Sequence, residues 1–223
     1  MYARLVPSIT PFEEAATNSK SVAVRAIAVV AAFASAGYPL LWRRRCLTWG
    51  ASDAEAGRAM PGDELLPGAP LVSTRAITVD APPSAIWPWL VQMGPGRGGA
   101  YTYDWVENLL GLDMRSANEI LLQFQDLKVG DVIPLGTRGP RTRIEVLESD
   151  HTLVLRSEDG FWVWAFGLYP QDGATRLVSR NRIATPDPSL ASRALSCYVM
   201  EPGSLVMERK MLLTLKERAE STA

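Results

Sequence analysis

One histidine, two cysteines and no surplus of either charge leave several kinds of chemistry without material. The histidine, His151, stands between Asp150 and Thr152 in a polar turn, so no Ser-His or Cys-His nucleophile and no histidine-rich metal site can be assembled. Cys46 and Cys197 are too few for a disulfide framework or a zinc cluster, and they do not fix a redox compartment. Lys plus Arg number 23 against 24 Asp plus Glu, so the basic excess of a nucleic-acid binder is missing. No internal repeat is visible. The run Gly94-Pro95-Gly96-Arg97-Gly98-Gly99 spells G-x-G-x-x-G, but it follows a predicted helix instead of a strand. It therefore reads as a loop between helices, with the hinge freedom of a lid, and not as a dinucleotide site. No Gly-Lys-Ser/Thr of a phosphate-cradling loop is present either. The expectation is no metal, no cofactor and no nucleic-acid partner.

Long apolar runs are also scarce. The one that exists covers residues 21–42, with Arg25 as its single charge and Arg43-Arg44-Arg45 directly after it. Residues 26–42 come to the lower length limit for a helix crossing a bilayer, and the arginines would stay cytoplasmic. A membrane anchor is the first reading. A cleaved leader is the second, since Ala34-Ser35-Ala36 matches an A-x-A site, although three arginines just beyond oppose translocation. The third is an alanine-rich helix packed on the domain, interrupted by Gly37 and Pro39. The chain thus divides into residues 1–48, a tail with a candidate anchor, and residues 49–223, a domain. The domain is expected at the cytoplasmic face of a membrane, or in the cytoplasm with no membrane contact. Ser52-Asp53-Ala54-Glu55 is a capping box ahead of a short helix, and Pro67-Gly68-Ala69-Pro70 links into the first strand.

What is present in quantity is pattern. Ile77 and Val79 alternate with Thr78 and Asp80 as a strand does. Asp80-Ala81-Pro82-Pro83 stops it, and a helix follows with Ile86, Trp87, Leu90 and Val91 on its apolar stripe. Residues 101–110 read as a second helix with Val106, Leu109 and Leu110 inward, and Asp104, Glu107 and Asn108 sharing the other side. A short helical piece is expected over 116–122. From Gly130 the period becomes two, giving strands over 131–135, 141–148, 152–156, 161–169 and 175–183. Trp162, Trp164, Phe166 and Leu168 share one face. Leu177, Ser179, Asn181 and Ile183 share another, opposite Arg176, Arg180 and Arg182. Residues 189–200 are mildly helical, Glu201-Pro202-Gly203 breaks or kinks the chain, and 204–219 form a long helix striped by Leu205, Met211, Leu212 and Leu215. Glu208 falls on that stripe, where a carboxylate is either paired or lines a polar spot. Strand, two helices, a meander and a long last helix define an α+β fold.

The strand ending in Asp80-Ala81-Pro82-Pro83, with Ile86-Trp87 early in the next helix, resembles the opening of the SRPBCC superfamily. These are the START-like, helix-grip proteins, often described as polyketide cyclase/dehydrase-like. The continuation through Trp87-Pro88-Trp89-Leu90-Val91-Gln92-Met93-Gly94, Arg97-Gly98-Gly99, Tyr103-Asp104-Trp105 and Glu107-Asn108 is similar to a subgroup of actinobacterial type. The resemblance spans about residues 49–219. It implies a curved antiparallel sheet around the last helix, with a cavity between them. Tyr103, Asp104, Trp164, Phe166, Ser179, Asn181, Met207, Glu208 and Met211 are the candidate ligand-binding residues. Apolar lining with few polar points suits a small hydrophobic or amphipathic ligand, lipid or polyketide-like. Two other functions compete. One is a cyclase or dehydratase using Asp104 or Glu208 as base and Tyr103 to polarise a carbonyl. The other is an interaction domain whose cavity has collapsed.

Overall fold

The computed structural model describes residues 37–109, 111–135, 141–186 and 189–222. The chain divides into two units, Met1–Arg43 and Arg44–Ala223. In the first, the described part is a π-helical turn, Tyr38–Trp42. The apolar run 21–42 lies for the most part outside the described residues. Among the described residues, no helix is long and apolar enough to cross a membrane.

In the second unit, α1 (Arg43–Leu47) and α2 (Asp53–Gly57) precede the sheet. The Ser52 capping box forms as the sequence predicts: Glu55 N donates to the Ser52 hydroxyl, and Ser52 N donates to the Glu55 carboxylate at 2.7 Å. Strand β1 (Leu71–Val79) leads into α3 (Pro83–Val91) and α4 (Asp104–Leu109). Then β2 (Val132–Pro134), β3 (Arg141–Glu148), β4 (Thr152–Ser157), β5 (Trp162–Gln171) and β6 (Ala174–Ile183) form a meander. The helix α5 (Leu190–Leu195), a π-helical turn Ser196–Met200 and α6 (Glu201–Thr222) complete the chain. All pairings are antiparallel, in the order β1-β6-β5-β4-β3-β2. The sheet is curved, and a register shift between Ile144 and Val146 bends β3. Because β1 and β2 are opposite edges, the segment between them, with α3 and α4, carries the chain across the sheet. This is the α+β, helix-grip architecture, with the long C-terminal helix on the sheet.

Period two decides which layer each residue joins. On the helix side, Val79, Phe166, Leu168 and Leu177 pack with Ile86 and Leu90 of α3 and with Met211, Leu212 and Leu215 of α6. The last helix lies along α3 and β1, and Phe166 shares its core while Trp164 packs against that core. The opposite face holds a smaller cluster of Ala76, Val154, Val163, Ala165 and Val178, closed by Met60, Leu65 and Leu66 from the strap ahead of β1.

Two expectations are corrected. Glu201-Pro202-Gly203 does not break the chain, because the π-helical turn just before it widens the helix, and Glu201 N donates to Ser196 O instead. A wider turn removes the hydrogen bond that a proline cannot make. The short helical piece expected at 116–122 is a single 3-10 turn, Leu122–Phe124.

Candidate functional site

A cavity of about 420 Å³ lies between the sheet and α6. The floor is aromatic: Trp162 and Trp164 of β5 stack at 5.5 Å between ring centroids. Met207 and Met211 of α6 face it, and Leu112, Met114 and Leu135 come from loops. A smaller apolar cavity of about 40 Å³ shares Trp162, Trp164 and Met114, and it is there that Phe166 lines a wall.

One pole of the larger cavity is a buried charge network. Arg75 of β1 is 0% exposed and pairs with Glu208 of α6, itself 7% exposed. The other two guanidinium nitrogens, Nε and Nη2, donate to Cys46 O at 3.1 Å and Ser204 Oγ at 3.0 Å. Ser179 Oγ donates to Glu208 Oε1 at 2.5 Å, and Asn181 Nδ2 reaches both carboxylate oxygens at 3.3 Å. The indoles hold these two residues in turn: Trp164 Nε1 donates to Ser179 Oγ at 2.9 Å and Trp162 Nε1 to Asn181 Oδ1 at 2.8 Å. Burial pushes the Glu208 carboxyl up from its ordinary value, against the Arg75 charge and the Ser179 hydroxyl, which lower it. A guanidinium keeps its proton in proteins, so Arg75 is the fixed charge of the pair. The network fixes the rotamers of both cavity tryptophans through β6.

The other pole is α4, and here the sequence expectation is reversed. Asp104 does not line the cavity. Its carboxylate accepts from Ser116 N at 2.8 Å and Ser116 Oγ at 2.6 Å. Asn108 likewise clasps Met114, accepting from its N at 2.6 Å and donating to its O at 2.9 Å. These bonds tie α4 to the returning loop and set its rotation, so that Trp105 and Leu109 are exposed and Glu107 turns inward. Leu110, placed inward by the sequence, is outside the described residues. Tyr103 is 38% exposed and likewise does not line the cavity. Glu107 does line it, and burial pushes its carboxyl up.

The glycine loop is also not a hinged lid. Gly94 and Gly99 exchange two backbone hydrogen bonds, at 2.9 and 3.1 Å, and Gly98 N donates to Gln92 O at 2.7 Å. Both Gly94 and Gly99 are buried. Gly99 sits at φ +72°, and a Cβ there would meet Arg115 O at 2.7 Å. Only glycine lets this turn press against the loop that α4 clasps.

Of the nine sequence candidates, Trp164, Asn181, Met207, Glu208 and Met211 line the larger cavity. Phe166 lines the smaller one, and Ser179 stands behind Glu208. Sequence reasoning passed over Arg75, Thr102 and Ser204, and it set Glu107 on a solvated face. For Arg75 a signal exists: Leu71, Ser73, Arg75, Ile77 and Val79 alternate on one face, which puts a charge among apolar neighbours. Among the described residues, no group of three His, Cys, Asp or Glu side chains gathers as a metal site.

Fold and cavity define a helix-grip domain with a small-molecule-sized chamber. No family model matches the chain, and no curated protein matches it. Solved structures are similar to it in fold. The KanY protein is 14% identical, with a TM-score of 0.47 over 69% of this chain and 99% of that one. A polyketide cyclase-like protein, Cgl2372 from Corynebacterium glutamicum, is 13% identical, with a TM-score of 0.45 over 70% of this chain and 94% of that one. A protein from Rhodobacter sphaeroides is 22% identical, with a TM-score of 0.43 over 68% of this chain and 95% of that one.

Proposed function

We propose that the domain binds a small hydrophobic or amphipathic molecule, lipid or polyketide-like in character, in the chamber between sheet and α6. The observation that carries this is the open volume of about 420 Å³ behind an aromatic and methionine wall. It falls within the range of about 300–1,000 Å³ common to small-molecule sites. A collapsed cavity does not have such a volume. Methionines at 207 and 211 adapt to ligand shape, while the locked tryptophans give a rigid platform. The test is extraction and mass spectrometry of molecules carried by the purified full chain, with calorimetric titration of 1-naphthol. Met207→Trp, which fills the chamber, is expected to weaken the probe by about 10-fold or more while the thermal melt stays cooperative. Equal affinity in the variant would move the ligand out of this chamber.

A second reading, a cyclase or dehydratase, is favoured by one observation: Glu107 is a buried carboxyl in the wall with its pKa raised, as a proton-transfer group requires. Chemical change in the carried molecule on incubation with the protein would select it.

The apolar run 21–42 with its Arg43-Arg44-Arg45 flank is the basis for placing the domain at a membrane. Fractionation of the full chain checks this. Recovery in the membrane pellet, released by detergent and not by high salt, is the expected result, and recovery in the supernatant removes the membrane from the proposal.

A further inference from the structure

The chamber has one pole whose polar atoms are spent and one whose polar atoms are not. At the first, Arg75 is wholly enclosed and gives its donors to Glu208, Ser204 and Cys46 O. Asn181 is likewise committed to Glu208 and Trp162. Among the described residues of that pole, no second cation is present to receive a carboxylate or phosphate from a ligand. At the second pole, Glu107 is 7% exposed, and its Oε2 is shielded from solvent without a hydrogen-bond partner among the described residues. Thr102 Oγ1, in the turn that leads into α4, is shielded too, and beyond the Glu107 carboxyl it has no partner among the described residues. Both residues line the chamber. Buried polar atoms are normally satisfied, and leaving one unmade carries a desolvation penalty. A shielded carboxylate oxygen left open beside a single hydroxyl, both in the cavity wall, marks where a bound molecule would complete the set.

We propose that Glu107 and Thr102 form the polar subsite of the chamber, and that its ligand is a largely apolar molecule presenting a hydroxyl or other hydrogen-bond donor, and no negative charge, to them. A carboxylate oxygen accepts hydrogen bonds and repels anions, so it selects for a donor and against an acid. Burial raises the Glu107 pKa, hydrogen bonding to the Thr102 hydroxyl lowers it, and the neighbouring Asp104 carboxylate adds a smaller rise. A further negative charge brought by a ligand would meet both carboxylates, and among the described lining residues the one cation, Arg75, is already paired with Glu208. This rests on the binding reading above and specifies the ligand class.

Three probes of one shape separate the outcomes: naphthalene, 1-naphthol and 1-naphthoate, titrated calorimetrically into the full chain at pH 7. 1-Naphthol is expected to bind about 10-fold tighter than either of the others, as one satisfied buried acceptor would give. Glu107→Gln should raise 1-naphthoate affinity by about 10-fold, because the charge that repels it is gone. It should melt at or above the wild-type temperature, because burial disfavours the charge that it removes. Thr102→Val should reduce the preference for 1-naphthol over naphthalene several-fold, and it tests the subsite independently should the Glu107 variant not fold. Equal binding of 1-naphthol and 1-naphthoate to the wild-type protein would overturn the proposal, as would preferences unchanged in both variants. Binding of none of the three, naphthalene included, would instead count against the chamber as a ligand site at all.

Discussion

Glu208→Gln is expected to lower the unfolding free energy by about 3 kcal/mol or more, read by urea denaturation at pH 7. Glutamine has the shape of glutamate and can still accept from Ser179 and Asn181, so packing at the site is preserved. What is lost is the charge opposite Arg75. That guanidinium is 0% exposed, keeps its proton, and would be left with Cys46 O and Ser204 Oγ, both neutral acceptors. An uncompensated buried charge is the costly outcome; the pair as a whole is not necessarily stabilising. The companion Arg75→Met with Glu208→Leu removes both charges and is expected to return to within about 1 kcal/mol of the wild-type protein. A single variant within about 0.5 kcal/mol of wild type would show that the Arg75 charge is solvated in a way the structure does not contain. Because Ser179 and Asn181 link the pair to Trp164 and Trp162, the single variant should also shift the tryptophan emission.

Arg180→Met is expected to cost about 3 kcal/mol and to free the strap ahead of β1. Arg180 points away from the chamber. Its guanidinium donates to Arg58 O at 2.8 Å, Glu55 O at 2.8 Å, Ala56 O at 3.2 Å and Thr74 Oγ1 at 2.9 Å, and pairs with Asp63 at 2.7 Å. Methionine keeps the stem but leaves three carbonyls and a carboxylate oxygen without this donor. Arg182 still holds Asp63 at 3.2 Å and Leu66 O at 3.0 Å, so the effect is local loosening. Limited proteolysis reads it directly: cleavage within residues 50–66 should accelerate well before the sheet core is cut. Unchanged protection would mean that Met60, Leu65 and Leu66 hold the strap by packing alone. Acid acts on the same strap. Hydrogen bonding to Arg176 holds the Glu55 carboxyl at about 2, below its ordinary 4.5. A lowered carboxyl contributes stability that is full above its unfolded value and is lost as pH falls toward 2.

Much of the fold was legible because it depends on local periodicity. The meander shows in the switch to period two after Gly130, and all five of its strands match the predicted ranges to within two residues at either end. The split of β6 into Ser179 and Asn181 on one face and Arg176, Arg180 and Arg182 on the other is a direct consequence of the pleat. The candidate site was legible where the same rule applied. Trp164, Asn181, Met207, Glu208 and Met211 were found because strand and helix faces converge on one space.

By itself, the sequence determined the α+β class, the order of the strands along the chain, the inward faces of β5, β6 and α6, and the lack of material for histidine or cysteine catalysis. Those follow from patterns within ten or so residues. The tertiary structure alone decided which arginine would meet Glu208, since Arg75 and Glu208 lie at opposite ends of the domain sequence and meet because β1 pairs with β6 beneath α6. It alone decided the rotation of α4. That helix is too short for an apolar stripe to set its orientation, so hydrogen bonds from Asp104 and Asn108 to a loop beyond it do so, and they exchange the expected roles of Asp104 and Glu107. And it alone buried the glycine turn that Gly94 and Gly99 close, because Gly99 packs against the backbone at Arg115, which no local pattern brings near.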